Sequence, residues 1–118
     1  MTHNERNIEV LKRIVGYCDE VNCTLDLVNY SFDTMISDFL YKNSLAMNVL
    51  QIGELVKNLT EDFKQEYQGI PWSEIAGMRD IAAHGYGDFD FDVLWETITE
   101  DIDPLKSYCE QCIESLKL

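Results

Sequence analysis

Basic residues are scarce in this chain of 118 residues: nine Lys and Arg stand against 22 Asp and Glu, a formal net charge of −13. That balance excludes binding to a phosphate backbone through overall charge, so any nucleic acid has to meet a local positive patch. There are only two prolines and two histidines. No apolar run approaches the roughly 20 residues that span a bilayer, and Met1 to Glu9 is polar and charged, unlike a secretory signal. The chain is therefore read as cytoplasmic, with no membrane partner. Strand-like alternation, internal repeats, low-complexity tracts and flexible linkers are missing as well, which removes sheet folds, solenoids and tethered domains. What remains is 46% hydrophobic residues in a length that suits one domain over 1–118.

The four cysteines, Cys18, Cys23, Cys109 and Cys112, suit reduced thiols in a chain with no secretory signal and enough core. Cys109-x-x-Cys112 has the spacing of a half zinc site. It falls in a helical pattern, however, where i and i+3 merely share a face, and no second Cys or His pair of matching spacing accompanies it. Buried thiols are the preferred reading, with no metal and no cofactor. From Asp80 to Leu105 there are eight acids and no Lys or Arg, which reads either as a solvated helix face or as a docking surface for a basic partner.

Apolar residues recur at steps of three and four. Ile8, Leu11, Val15, Cys18, Val21, Leu25 and Val28 predict a helix from about residue 4 to 28, broken by Asn29-Tyr30-Ser31. Ser31 can cap a short helix over Phe32 to Ser37, and Leu45, Val49, Ile52, Val56 and Leu59 predict a second long helix over about 38–59. Thr60-Glu61-Asp62 reads as the cap and acidic first turn of a brief helix that reaches Tyr67 and is ended by Gly69. Pro71 opens a third helix carrying Trp72, Ile75, Met78 and Arg79, which stops at His84-Gly85-Tyr86-Gly87. Asp88 or Asp90 caps a last helical region through Leu94, Ile98 and Ile102, with a kink at Pro104 before Leu105, Tyr108, Cys112 and Leu116. Trp72 and Trp95 read as core anchors. The predicted fold is all-α, an antiparallel bundle of four main helices with short extra helical turns.

His3 lies near the chain end, so imidazole chemistry falls to His84. Arg79, five residues earlier, sits about 140° away around a continuous helix, so the two meet only if the helix ends between them or a second subunit supplies one of them. An arginine and a histidine together can cleave RNA without metal. Imidazole exchanges the proton of the ribose 2′-hydroxyl or of the leaving 5′-oxygen, and guanidinium offsets charge on the transition state. Asp80 can orient either partner, and Tyr86 can bond a phosphate oxygen or stack on a base. By spacing alone, a histidine here is more commonly a helix C-cap, and Tyr86 more often a packing aromatic.

Leu50-Gln51-Ile52-Gly53-Glu54-Leu55, then Ile70-Pro71-Trp72-Ser73-Glu74-Ile75, then Gly77 through Gly87, Trp95 and Asp101-Ile102-Asp103-Pro104-Leu105 follow one another in an order and spacing that resembles HepT-type proteins of the HEPN superfamily. The similarity covers nearly the whole chain. It implies a helical homodimer whose paired Arg-x4-His motifs face each other across a shared cleft, a metal-independent endoribonuclease, and a toxin of a toxin–antitoxin pair. It places Arg79 and His84 as the catalytic pair with Asp80 in support. It further implies a nucleotidyltransferase antitoxin as partner, which transfers AMP onto the motif tyrosine, here Tyr86. Relatives often carry Asn after the arginine and Phe after the tyrosine, where this chain has Asp80 and Gly87; Asp80 puts a negative charge beside Arg79, against phosphate attraction. Glu54 reads as a helix-surface or interhelical acid or as a site residue. The competing reading is a non-catalytic module that binds a nucleotide or the nucleotidyltransferase.

Overall fold

Thr2 starts the first helix by accepting a hydrogen bond from the Glu5 N–H at 3.1 Å, and α1 then runs without interruption over His3–Leu27. The structure is a computed structural model that describes residues 2–77 and 90–118. Side-chain caps place most of the short elements where hydroxyls and carboxylates in the sequence predict them. Ser31 caps α2 (Phe32–Ser37) through the Thr34 N–H at 3.2 Å, Asp38 caps α3 (Phe39–Val56) through Leu40 at 2.9 Å, and Thr60 caps α4 (Glu61–Glu66) through Phe63 at 3.2 Å. Pro71 precedes α5 (Trp72–Ala76). Asp90 receives the Asp92 and Val93 amides, each at 3.1 Å, and opens α6 (Phe91–Glu96). A π-helical stretch, Thr97–Asp101, joins α6 to α7 (Ile102–Lys117). Each cap satisfies amide groups that a helix start leaves without partners.

The molecule is all-α, and no strand occurs among the described residues. Three described helices, α1, α3 and α7, have 25, 18 and 16 residues. The third predicted helix is shorter than expected at its described end: α5 stops at Ala76 with Gly77 as its cap, and Met78 and Arg79, which were expected to continue it, lie outside the described residues. Helix directions follow from pairs of contacts. Lys106 bonds Asp19 at 2.7 Å and Asn22 bonds Asp103 at 3.1 Å, so residue numbers rise on α1 as they fall on α7. Asn7, near the start of α1, meets Thr60 just past the end of α3. Both long helices therefore lie antiparallel to α1, which forms the centre of the packing. Buried side chains from α1 through α7 make one continuous core that includes Leu11, Ile14, Leu45, Ile52, Leu94 and Leu105.

Four local findings refine the sequence reading. On α1 the buried stripe is rotated slightly: Val10 and Ile14 are in the core, whereas Ile8 and Val15 are only partly covered. The stop after α1 is built from two consecutive left-handed residues, Asn29 and Tyr30, with φ of 53° and 52°. Asparagine tolerates that region, while tyrosine carries a steric cost of about 1–2 kcal/mol, held in place by the Tyr30 N–H donating to the Leu25 carbonyl at 2.9 Å. Gly69 does not end α4, which stops at Glu66 with Tyr67 as its cap. A glycine is needed because a Cβ there would run into the Tyr108 ring, whose hydroxyl accepts the Gly69 N–H at 2.9 Å. Finally, a π-helical stretch, Thr97–Asp101, lies just upstream of Pro104, the position where a kink was predicted. Proline offers no N–H and its ring crowds the carbonyl four residues back, and the π-helical stretch just upstream absorbs the mismatch. Thr99, within that stretch, donates its hydroxyl to the Trp95 carbonyl one turn back at 2.7 Å.

All four cysteines are free. Cys18, Cys109 and Cys112 are buried in the seam between α1 and α7. Burial pushes the Cys18 thiol up to about 12 and the Cys112 thiol up to about 11, and raises Cys109 further. A thiol held protonated and covered is neither nucleophile nor ready metal ligand, so Cys109 and Cys112 act as packing groups. Cys23 is exposed. Alkylation of the native protein at pH 7.5 is expected to modify Cys23 alone, with the other three reacting only in denaturant; intact mass before and after unfolding checks it. Because these thiols titrate higher when folded than the usual 9.0, their contribution to stability is present below pH 9 and is lost as pH rises toward 11–12.

Candidate functional site

Arg79, Asp80, His84 and Tyr86 lie outside the described residues, and the structure reports the frame on either side of them. On the upstream side α5 ends at Gly77, whose N–H donates to the Ser73 carbonyl at 3.1 Å. On the downstream side the Asp90 cap fixes the start of α6. Both anchors are tied to the core. Trp72, buried at the head of α5, donates its indole N–H to the Tyr67 carbonyl and packs against the rings of Phe63 and Tyr108. Trp95 on α6 meets Phe32 edge-on with centroids 5.8 Å apart, and Lys42 sits 5.2 Å over the Phe91 ring. Both tryptophans are thus packing anchors, as predicted, and Lys42 adds a cation–π contact that binds α6 to α3.

Between these anchors the described residues form a cleft of about 450 Å³, walled by the Ile70–Gly77 segment on one side and the π-helical stretch on the other. Ile70, Pro71 and Ile75 give it apolar surface, and Glu74, Thr97 and Asp101 give it polar groups. Gly77, also in its wall, stands two residues before Arg79 in the sequence. None of the residues in this cleft was singled out by motif reasoning as a site residue. Their contribution depends on the π-helical stretch, and the only sequence signal for it is Pro104 placed within an otherwise helical pattern.

The electrostatic setting follows the sequence. Asp90, Asp92, Glu96, Glu100, Asp101 and Asp103 are all exposed, so the downstream flank presents carboxylates to solvent. Glu54, the acid of the Ile-Gly-Glu string, lies on an exposed position of α3 between buried Ile52, Gly53 and Leu55. The chain has no described helix long and apolar enough to cross a membrane.

Comparison with known proteins places the chain. Residues 5–112 match the family model described as Ribonuclease HepT-like. A protein named "Probable ribonuclease HepT" from Thermococcus cleftensis is 35% identical over 100 residues, covering 80% of this chain and 91% of the relative. A candidate RNase of Methanocaldococcus jannaschii is 32% identical over 108 residues, 88% of each chain. Another, from Caldanaerobacter subterraneus subsp. tengcongensis, is 33% identical over 87 residues, covering 74% of this chain and 78% of the relative. No solved structure gives a significant match. With nearly the full length matched and relatives of this identity aligned over most of both chains, the protein belongs to the HepT-like ribonuclease family of the HEPN superfamily.

Proposed function

We propose that this protein is a metal-independent endoribonuclease toxin that acts as a homodimer of a single HEPN-like domain. The observation that carries the reading is the Arg79-x4-His84-x-Tyr86 string within a chain matched to the HepT-like family from residue 5 to 112. In this reading the 2′-hydroxyl of RNA is the nucleophile. It attacks the adjacent phosphorus as the bond to the 5′-oxygen breaks, His84 takes or supplies the proton, and Arg79 offsets charge on the phosphorane-like transition state. Asp80 orients one of the two. Tyr86 is the control point: a nucleotidyltransferase antitoxin transfers AMP from ATP to its phenol oxygen with release of pyrophosphate, and the added phosphate opposes RNA beside His84.

The surface of α3 supports the dimer. Leu40 and Met47 share one face at i and i+7, and they are 65% and 52% exposed, with Phe39 beside them at 66%. Between residues 39 and 57 the only charges are Lys42, Glu54 and Lys57. Two chains of charge −13 repel through most of their surface, but not through this neutral, apolar face. A dimer also gathers two copies of Arg79, the local positive patch that the composition requires.

The second reading, a partner-binding module without catalysis, draws on the exposed acids of α6 and the π-helical stretch, which suit a basic protein surface better than RNA. Incubating the purified protein with total RNA in EDTA separates the two. Sustained cleavage is the result expected for the ribonuclease. Intact RNA together with tight binding of the nucleotidyltransferase encoded beside it would favour the module.

A further inference from the structure

The cleft between α5 and the π-helical stretch has a lining that nothing in the Arg79–Tyr86 chemistry uses. Its volume, about 450 Å³, is within the range of roughly 300–1,000 Å³ typical of small-molecule sites. Ile70, Pro71 and Ile75 offer apolar surface, while the acidic residues Glu74 and Asp101 reach its wall from two separate elements. Neither carboxylate has an ion-pair or side-chain hydrogen-bond partner among the described residues. Two exposed carboxylates beside apolar surface suit a planar group with adjacent N–H donors along one edge.

Among the RNA bases that description selects one. Guanine presents N1–H and the N2 amine side by side, so a carboxylate can accept from both. Adenine and cytosine each set a ring lone pair next to the amine, and uracil flanks its single N–H with two carbonyls; each arrangement turns an acceptor toward the carboxylate. We propose that this cleft is a guanine-reading subsite, in which Glu74 and Asp101 accept the base's edge donors and Ile70, Pro71 and Ile75 contact its faces. The proposal deepens the ribonuclease reading and rests on it for the substrate class. It places recognition of one base beside the segment that carries Arg79, since Gly77 belongs to both the cleft wall and the start of that segment. It also gives the acidic flank a use compatible with RNA, because carboxylates that repel phosphates attract base N–H groups.

Titration of the native chain with GMP, IMP, AMP, CMP and UMP, followed by isothermal calorimetry, tests this. The five ligands share one phosphate, so differences report the base. GMP is expected to bind about fivefold or more tightly than AMP, CMP or UMP, the low end of what one bidentate base contact discriminates. IMP, which lacks the N2 amine, should fall between. Glu74→Gln and Asp101→Asn keep side-chain shape but place an N–H donor at the site, and each should reduce the GMP preference. A GMP affinity no greater than that for UMP overturns the proposal, as does a preference that survives both substitutions in protein with native helical circular dichroism. Competition by N-acetyl-arginine amide without any base preference would instead identify the cleft as a contact for a basic protein partner. Cleavage of RNA without guanine preference would sink this inference alone, whereas selective GMP binding without cleavage would sink the ribonuclease reading alone.

Discussion

Purified His84→Ala is expected to cleave RNA at least about a hundredfold more slowly than the native chain, the lower end of what a positioned acid or base contributes. The expectation is strong because the chain contains only one other histidine, His3, and that residue forms the exposed first turn of α1. No second imidazole is available to substitute. The variant should keep the native far-ultraviolet circular dichroism spectrum, because buried groups of α1 to α7 on both sides of the motif segment already form one core among the described residues. Growth inhibition on expression should disappear with the cleavage. Native-rate cleavage by purified His84→Ala would remove His84 from the mechanism, whatever the state of Arg79.

The largest effect on stability is expected from Leu105→Ala. Leu105 is fully buried at the start of α7, one turn beyond the π-helical stretch, where it belongs to the same core as Leu11, Ile14 and Leu45. Removing its isobutyl branches deletes buried contacts and leaves a cavity, a combination that costs about 2–5 kcal/mol. Against a total of roughly 5–15 kcal/mol for a typical domain, that loss lowers the urea midpoint substantially. Leu27→Ala serves as the control: its side chain is 61% exposed, and the change should remain within about 0.5 kcal/mol. Equal midpoints for the two variants would show that α7 is not held by this core.

Much of the fold was legible because helix signals are local. Ser31, Thr60 and Asp90 cap helices through their own neighbours' amides, and those spacings are visible in one dimension. The α3 stripe of Leu45, Val49, Ile52 and Val56 is buried as its period predicts. Readings that required a neighbour from elsewhere in the chain fared less well. Gly69 was read as a helix stop, yet its role is clearance for Tyr108, 39 residues away. Ile14 and Val10 enter the core in place of Ile8 and Val15 because the faces of α3 and α7 decide how α1 is turned.

For the candidate site the division is similar. Arg79, Asp80, His84 and Tyr86 were identified by residue type, by spacing and by resemblance to HepT-type proteins, all properties of the sequence by itself. So were the charge deficit, the all-α class and the preference for buried, reduced cysteines. Only the tertiary structure decided that Glu74 and Asp101, 27 positions apart in the sequence, line one cleft, that a π-helical stretch precedes Pro104, and that α3 leaves a neutral apolar face uncovered. The physical reason is range. Capping, periodicity and proline geometry act within one or two helical turns, whereas clefts, clearances and exposed faces exist only once separate helices have packed and fixed what each side chain meets.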